Sequence, residues 1–178
     1  MGFKYAIRSE RLHFLTHTIV EWVDLFTRRE LGMVVVDSLN YCIEKKGLEV
    51  YVWCLMPSHL HMIASVVPGN PKGLSDVMRD FKGFTSKELL KKMDSDFESR
   101  KDWLKKHFQT DRNAHQVWRE GMHPVELFTR KFTNQKMDYI HNNPVAAGIV
   151  DEPEHYVFSS ARDYFVNRKG LVDISYIE

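Results

Sequence analysis

An α+β protein with an antiparallel sheet is what this sequence predicts, and three observations carry the prediction. Short runs rich in β-branched and aromatic residues occupy 12–20, 48–55 and 60–67. Longer stretches with apolar residues at helical spacing occupy 29–46 and 72–93. Between the second and third runs stands only a short connection, Met56-Pro57-Ser58-His59, which leaves no room for a helix, so those runs pair as a hairpin.

Taken in order, residues 12–20 (LHFLTHTIV) read as the first strand. Residues 29–46 set Leu31, Val34, Val35, Leu39, Cys42 and Ile43 at helical intervals, and Gly47 follows as a stop. Residues 48–55 (LEVYVWCL) and 60–67 (LHMIASVV) read as strands, the latter ended by Pro68-Gly69-Asn70-Pro71. Residues 72–93 form a second helix bearing Leu74, Val77, Met78, Phe81, Leu89 and Leu90. Gly83 and the capping-box pattern Thr85-Ser86-Lys87-Glu88 are expected to bend or divide it. Residues 94–112 mix charges of both signs, with Asp96, Glu98 and Asp102 among the lysines, and read as a partly helical, solvent-exposed segment. Residues 114–120 (AHQVWRE) are the expected last strand. Residues 129–143 read as a third helix, disturbed by Pro144 and closed by Gly148, and 155–178 as an aromatic-rich tail. The resulting order, βαββαβ, is the ferredoxin-like split arrangement: an antiparallel sheet with helices on one face, here with an added C-terminal helix and tail.

Composition agrees with a globular chain. Its 178 residues carry 25 Lys plus Arg against 24 Asp plus Glu, with 43% apolar and 28% charged residues. These values exclude a disordered chain, a collagen-like repeat and a highly basic tail. A chain this long buries roughly 70% of its unfolded surface, so a single domain is expected over 1–178, with a core at about 11–150 and an extension at 151–178. A net charge near zero leaves room for a local basic face. Cys42 and Cys54 lie in apolar contexts without CxxC spacing, which argues for reduced thiols rather than a zinc knuckle or redox pair. No apolar run approaches the ~20 residues of a membrane span, and the N-terminus lacks a signal-peptide core; no membrane association and a cytoplasmic location are expected.

The sharpest local signal is His59-Leu60-His61 at the start of a strand. Side chains at i and i+2 project from the same face, so the two imidazoles converge into half of a divalent-metal site. Tyr139 and Asn143 lie four residues apart on the third helix and share a face, with Gln135 one turn earlier. Facing one another, a phenol, an amide and two imidazoles would form a metal-assisted nucleophilic site. Taken singly, each residue also fits a plainer role: strand histidines, a core tyrosine, and an asparagine at a helix end before proline.

Longer stretches carry a resemblance. Met56-Pro57-Ser58-His59-Leu60-His61 resembles the MP-x-H-hydrophobic-H motif of the HUH single-strand transposases. Residues 139–150 (YIHNNPVAAGIV) resemble the tyrosine motif of the REP-associated tyrosine transposases, a branch of that superfamily. Residues 74–89, 117–127 and 158–164 resemble the same branch, in the same order, so the likeness runs from about residue 11 to 165. The family commonly has Asn where Ser58 stands; that position is not a ligand, and the change reads as a tolerated turn substitution.

The resemblance implies a DNA nickase and joinase. Tyr139 would be the nucleophile and would form a 5′-phosphotyrosine; His59, His61 and Asn143 would hold a divalent ion, Mg²⁺ or Mn²⁺. The partner would be single-stranded or hairpin DNA of repeat elements, bound by a monomer or a homodimer. A domesticated, non-catalytic DNA-binding protein of the same fold is the alternative, and a phosphodiesterase acting through water is a third reading. Cleavage that fails below about pH 6 is expected, because protonated imidazole does not ligate metal.

Single-stranded DNA also needs cations for phosphates and aromatic faces for bases. The cationic candidates are Arg79, Lys82, Lys87, Lys91 and Lys92 on the second helix, with Arg119, Arg130, Lys131 and Lys136 beyond it. Phe81, Phe84, Trp118 and Phe132 are the aromatic ones. Lys82 and Arg119 lie within the family-like stretches and lead the set, with Arg79, Lys136 and Trp118 beside them.

Overall fold

The computed structural model describes residues 10–94, 98–110 and 114–177. The elements run β1 (His13–Thr18), α1 (Arg29–Lys46), β2 (Leu48–Met56), β3 (His59–Val66), α2 (Leu74–Met93), α3 (Lys101–Phe108), β4 (Val125–Glu126), α4 (Arg130–Ala146) and α5 (Ala161–Phe165). Short 3₁₀ turns stand at Val20–Trp22 and Pro153–His155. The sheet order is β2-β3-β1-β4, with every neighbouring pair antiparallel.

The sheet is covered on both faces. Leu15, Trp53, Leu60 and Met62 point to one side and pack with Leu31, Leu39, Phe81 and Leu89 of α1 and α2. Val52, Cys54 and Ile63 point to the other and pack with Leu127 and with Ile140 of α4. The alternation of β3 therefore sends Leu60 and Met62 toward α1 and α2, and leaves His61 and Ile63 facing α4. Cys42 and Cys54 are both free and buried.

Helix boundaries follow local chemistry. Gly47 ends α1 at φ +64, and a Cβ there would stand 2.4 Å from the Asn70 Nδ2. That position needs glycine on two counts, backbone and space. The Thr129 hydroxyl caps α4 by accepting the Phe132 N–H at 3.2 Å. At its other end Gly148 (φ +68) donates to the Val145 carbonyl and Ile149 to the Pro144 carbonyl, both at 2.9 Å, the paired bonds of a Schellman close.

Four expectations need correction. The strand beside β1 is Val125–Glu126, not 114–120; the latter stretch makes only isolated bridges, Gln109 to His115 and Ile19 to Trp118. Residues 117 and 118 are drawn inward by burial of Val117 and Trp118, and the ladder resumes after the Gly121 turn. Helix α2 is continuous through Gly83, because the Thr85 hydroxyl bonds back to the Phe81 carbonyl at 2.8 Å instead of capping a new helix. Helix α4 runs one turn beyond residue 143, carrying Pro144 within it. Residues 95–97, with Asp96, and 111–112 lie outside the described residues; the described part of the 94–112 segment is also less exposed than its charges suggest. Leu104 and Phe108 of α3 are buried, and buried Glu98 binds Arg100.

The aromatic tail seals the outer edge of β2. The Leu55 amide donates to the Phe158 carbonyl, the Ser160 amide to Trp53, and the Ser175 amide to Val50. The Tyr156 and Tyr164 hydroxyls donate to the carbonyls of Leu55 and Tyr51. An edge that would otherwise offer unpaired backbone groups is thereby closed.

Candidate active site

His61 and His59 sit at the start of β3, on the face that α4 covers, and their rings lie 4.6 Å apart. Each imidazole is oriented through its Nδ1. Thr16 Oγ1, directly across the ladder on β1, lies 2.9 Å from His61 Nδ1, and Ser58 Oγ lies 3.1 Å from His59 Nδ1. Such contacts fix ring tautomer and orientation, leaving Nε2 as the outward atom.

Helix α4 brings Tyr139 over this pair. Its hydroxyl lies 3.5 Å from His61 Nε2, and the two rings meet edge to face at 5.3 Å. Phe14 of β1 stacks on His61 and meets the Tyr139 ring edge. Tyr139 is 50% exposed, so the phenol faces solvent on one side and an imidazole on the other. Asn143 stands one turn further along α4. With Gln135, Asp138, Tyr139, Asn142 and Ala146 it lines a shallow pocket of about 240 Å³. The Asn143 Nδ2 is buried without a hydrogen-bond partner. A half-turn of the amide exchanges its O and N, so this position can present an oxygen.

Electrostatics favour neutral imidazoles. Burial pulls His61 down to about 3, assisted by the neighbouring His59, Lys136 and His17. Burial also lowers His59, against the opposing pull of Asp24. A neutral imidazole is the ligating form, so proton competition at His61 sets in well below pH 6, and burial moves that at His59 in the same direction. Two oriented, neutral imidazoles suit part of a divalent cation's shell, with positions left for other ligands and a substrate, while the unpartnered Asn143 amide lies in the pocket beside Tyr139, whose lining includes neither histidine. Among the described residues no three His, Cys, Asp or Glu side chains gather as a metal-binding group.

The DNA-contact candidates divide. Lys136 joins the site: its Nζ lies 4.6 Å above the Phe14 ring, with the Phe132 and Tyr139 rings at 5.5 and 5.7 Å. Arg119 is exposed, and its amide donates to the Thr18 carbonyl, at the end of β1 that pairs with His59. Lys82 reaches from α2 to the Arg119 and Gly121 carbonyls, which ties its ammonium to that loop. Arg79 lies on α2, across the sheet from the histidines, and pairs with Asp76. Trp118 is a correction. Only 3% exposed, it packs on Phe26 and Phe81 and donates its Nε1–H to Thr85, so it has no face for a base. Phe81 is equally interior, whereas Phe84 is exposed.

Sequence reasoning missed Thr16, Phe14 and the orienting role of Ser58. The signal for Thr16 and Phe14 lay in strand order: once β1 pairs with β3, Phe14, Thr16 and His61 share a face. Ser58 read as a turn residue because its hydroxyl acts on the very next side chain, a contact that spacing does not reveal.

Comparisons with known proteins bear on the family and the fold. The family model described as "Transposase IS200 like" matches residues 23–142. No curated protein matches the chain. Among solved structures, a REP-associated tyrosine transposase bound to a REP hairpin superposes with a TM-score of 0.63 at 19% identity, covering 100% of this chain and 97% of that one. A candidate transposase from Deinococcus radiodurans R1 gives 0.49 at 16% identity, over 80% of this chain and 95% of that one. The family match spans two-thirds of the residues, from the loop after β1 to the turn of α4 that bears Tyr139, and so the chain belongs to the IS200-like transposase family.

Proposed function

We propose that this transposase nicks and rejoins single-stranded or hairpin DNA through a covalent bond to Tyr139, as a REP-associated member of its family. The carrying observation is the Tyr139 hydroxyl 3.5 Å from His61 Nε2, on a helix and a strand far apart in sequence. The REP hairpin bound to the solved transposase of the same fold supports DNA of that shape as the partner. No described helix is long and apolar enough to cross a membrane, which fits a chain that meets DNA in the cytoplasm.

A phenol has an ordinary pKa of about 10 and is a weak nucleophile when neutral. In this reading Tyr139 Oη loses its proton and attacks the scissile phosphorus. One P–O bond forms to Tyr139 and the bond to the 3′ oxygen breaks; the phenol's proton passes to solvent, and the departing oxygen takes one up to leave as a 3′-hydroxyl. A later 3′-hydroxyl attacks the same phosphorus and expels Tyr139, so strands rejoin with no net loss of phosphodiester bonds. His59, His61 and Asn143 would hold a divalent cation, Mg²⁺ or Mn²⁺, which when bound supplies charge neutralisation at the phosphate. Thr16 and Ser58 keep the imidazoles aimed. Lys136, held over the Phe14 ring with the Tyr139 ring 5.7 Å away, adds positive charge beside the phosphate that the phenol would attack.

Incubation with hairpin-bearing single-stranded DNA and Mg²⁺, read on a denaturing gel, tests this. A covalent adduct is expected from the unaltered chain, with none from Tyr139→Phe and little from His61→Ala. An adduct that persists in Tyr139→Phe removes the nucleophile from the reading, and binding without any adduct favours a non-catalytic DNA-binding protein.

A further inference from the structure

The turn after β1 spends conformational energy on something the site has not yet used. Glu21 and Trp22 both occupy the left-handed region, at φ +53 and +59. Two consecutive side-chain-bearing residues in that region are strained, and such strain persists only where surrounding bonds impose it. Here they do. The Ile19 amide donates to the Ser58 carbonyl and the Val20 amide to the Val117 carbonyl, both at 2.9 Å, and the Trp22 amide donates to Ile19 at 3.0 Å. Beside the turn, the Glu21 carboxylate lies 3.1 Å from His107 Nε2, and the His107 ring stacks on Trp103 of α3.

The product of this imposed backbone is an indole held out in water. Trp22 is 54% exposed, and its ring stands edge-on to His59 with centroids 5.4 Å apart. A core tryptophan needs no strained turn, and a surface loop residue has no need of so large an apolar ring. Both costs are met at one position, adjoining the imidazole pair. A nucleobase lies next to its own phosphate along a strand, so an indole beside His59 is placed for a base neighbouring any phosphate that the pair addresses.

We propose that Trp22 is a stacking platform for an unpaired base flanking the scissile phosphate. This rests on the single-strand nicking reading and adds to it a specific base contact. Stacking on an aromatic face tolerates any base, because each has a π-face. The turn therefore holds the strand in register over the histidines without reading its sequence. The rigid turn also removes the need to order the indole on binding.

Binding is measured in the Tyr139→Phe background, which prevents covalent trapping, by anisotropy with a hairpin oligonucleotide carrying a single-stranded flank. Trp22→Leu is expected to weaken binding about 10-fold and Trp22→Phe much less, in keeping with the size of base–aromatic stacking. Abasic substitution at one flanking position is expected to weaken the Trp22-bearing chain similarly, and to cost nothing further in Trp22→Leu. Binding unchanged in Trp22→Leu, or losses that simply add, overturns the platform. The abasic series on the Trp22-bearing chain also guards against a misfolded variant: if no flanking position matters there, the platform is absent. Adduct formation by the Tyr139-bearing chain separates the two claims. An adduct with Trp22-independent binding leaves nicking intact and removes the platform, whereas Trp22-dependent binding without an adduct supports the platform and removes nicking.

Discussion

At the scale of single residues, the site is an exercise in aiming neutral groups. Thr16 and Ser58 touch no substrate atom in the proposed chemistry, yet each holds an imidazole through its Nδ1 at 2.9 and 3.1 Å. Removing such a partner frees the ring to rotate and typically weakens metal binding by 10–100-fold. Thr16→Val, which keeps the shape and loses the hydroxyl, is expected to raise the Mg²⁺ or Mn²⁺ concentration needed for half-maximal adduct by roughly 10-fold. Ser58→Ala is expected to act in the same direction. An unchanged metal requirement in both variants would show that the hydroxyls do not orient ligands. A saturating amount of metal should restore most of the adduct, which distinguishes aiming from loss of fold.

At the scale of elements, the helix that carries Tyr139 is locked by a residue the motif also contains. His141 is 2% exposed and points the other way from Tyr139, with Nε2 2.9 Å from Ser160 Oγ and its ring against Tyr164 and Phe165. Ser160 Oγ in turn accepts the Trp53 amide of β2. His141→Ala removes one hydrogen bond and leaves a void between α4 and the tail, an expected loss of about 2–3 kcal/mol by urea unfolding. A loss below about 0.5 kcal/mol would place the α4 anchor elsewhere. Elements with strong periodicity were legible in the sequence almost to the residue: α1 at Arg29–Lys46, and the β2–β3 hairpin. What escaped were places where tertiary contacts override local pattern. Burial of Val117 and Trp118 mimics a strand's apolar alternation without its ladder, and the two-residue β4 is too short to leave a pattern. Strand alternation put His59 and His61 on one face and helical spacing put Tyr139 and Asn143 on another, but only the family resemblance implied that the helix meets the strand. The isolation of Trp118 in the core, and the strained exposure of Trp22, depend on contacts that no spacing encodes.

At the scale of the whole molecule, two consequences follow from what is buried and what meets. His17 is fully interior between Phe81 and Trp118, with neither ring nitrogen bonded, and burial with nearby Lys82 pulls it down to about 3. His141 is pulled down by burial to about 4. The unfolded chain therefore binds more protons than the folded one below the ordinary histidine value of 6.5, and stability falls as pH drops from there toward 3 to 4. At pH 4.5 each group costs about 2–3 kcal/mol, a large share of an ordinary domain's 5–15 kcal/mol. Thermal unfolding is expected at a clearly lower temperature at pH 4.5 than at pH 7, with His17→Leu, which keeps an apolar side chain there, blunting the difference. An equal acid shift in that variant would assign the loss to other groups. The second consequence concerns assembly. Tyr139 and His61 meet within a single chain, so the proposed chemistry is complete without a partner copy. Were the nucleophile of one copy to serve the histidines of another, mixing Tyr139→Phe with His61→Ala would rebuild intact sites, each inactive chain supplying what the other lacks. With the geometry seen here, every chain in such a mixture keeps its own defect. The mixture is expected to form no more adduct than its components separately, at any ratio and after co-expression, whether the protein is a monomer or a dimer. Recovery of adduct in the mixture would mean that α4 leaves its own β3 and docks on a neighbour's during the reaction.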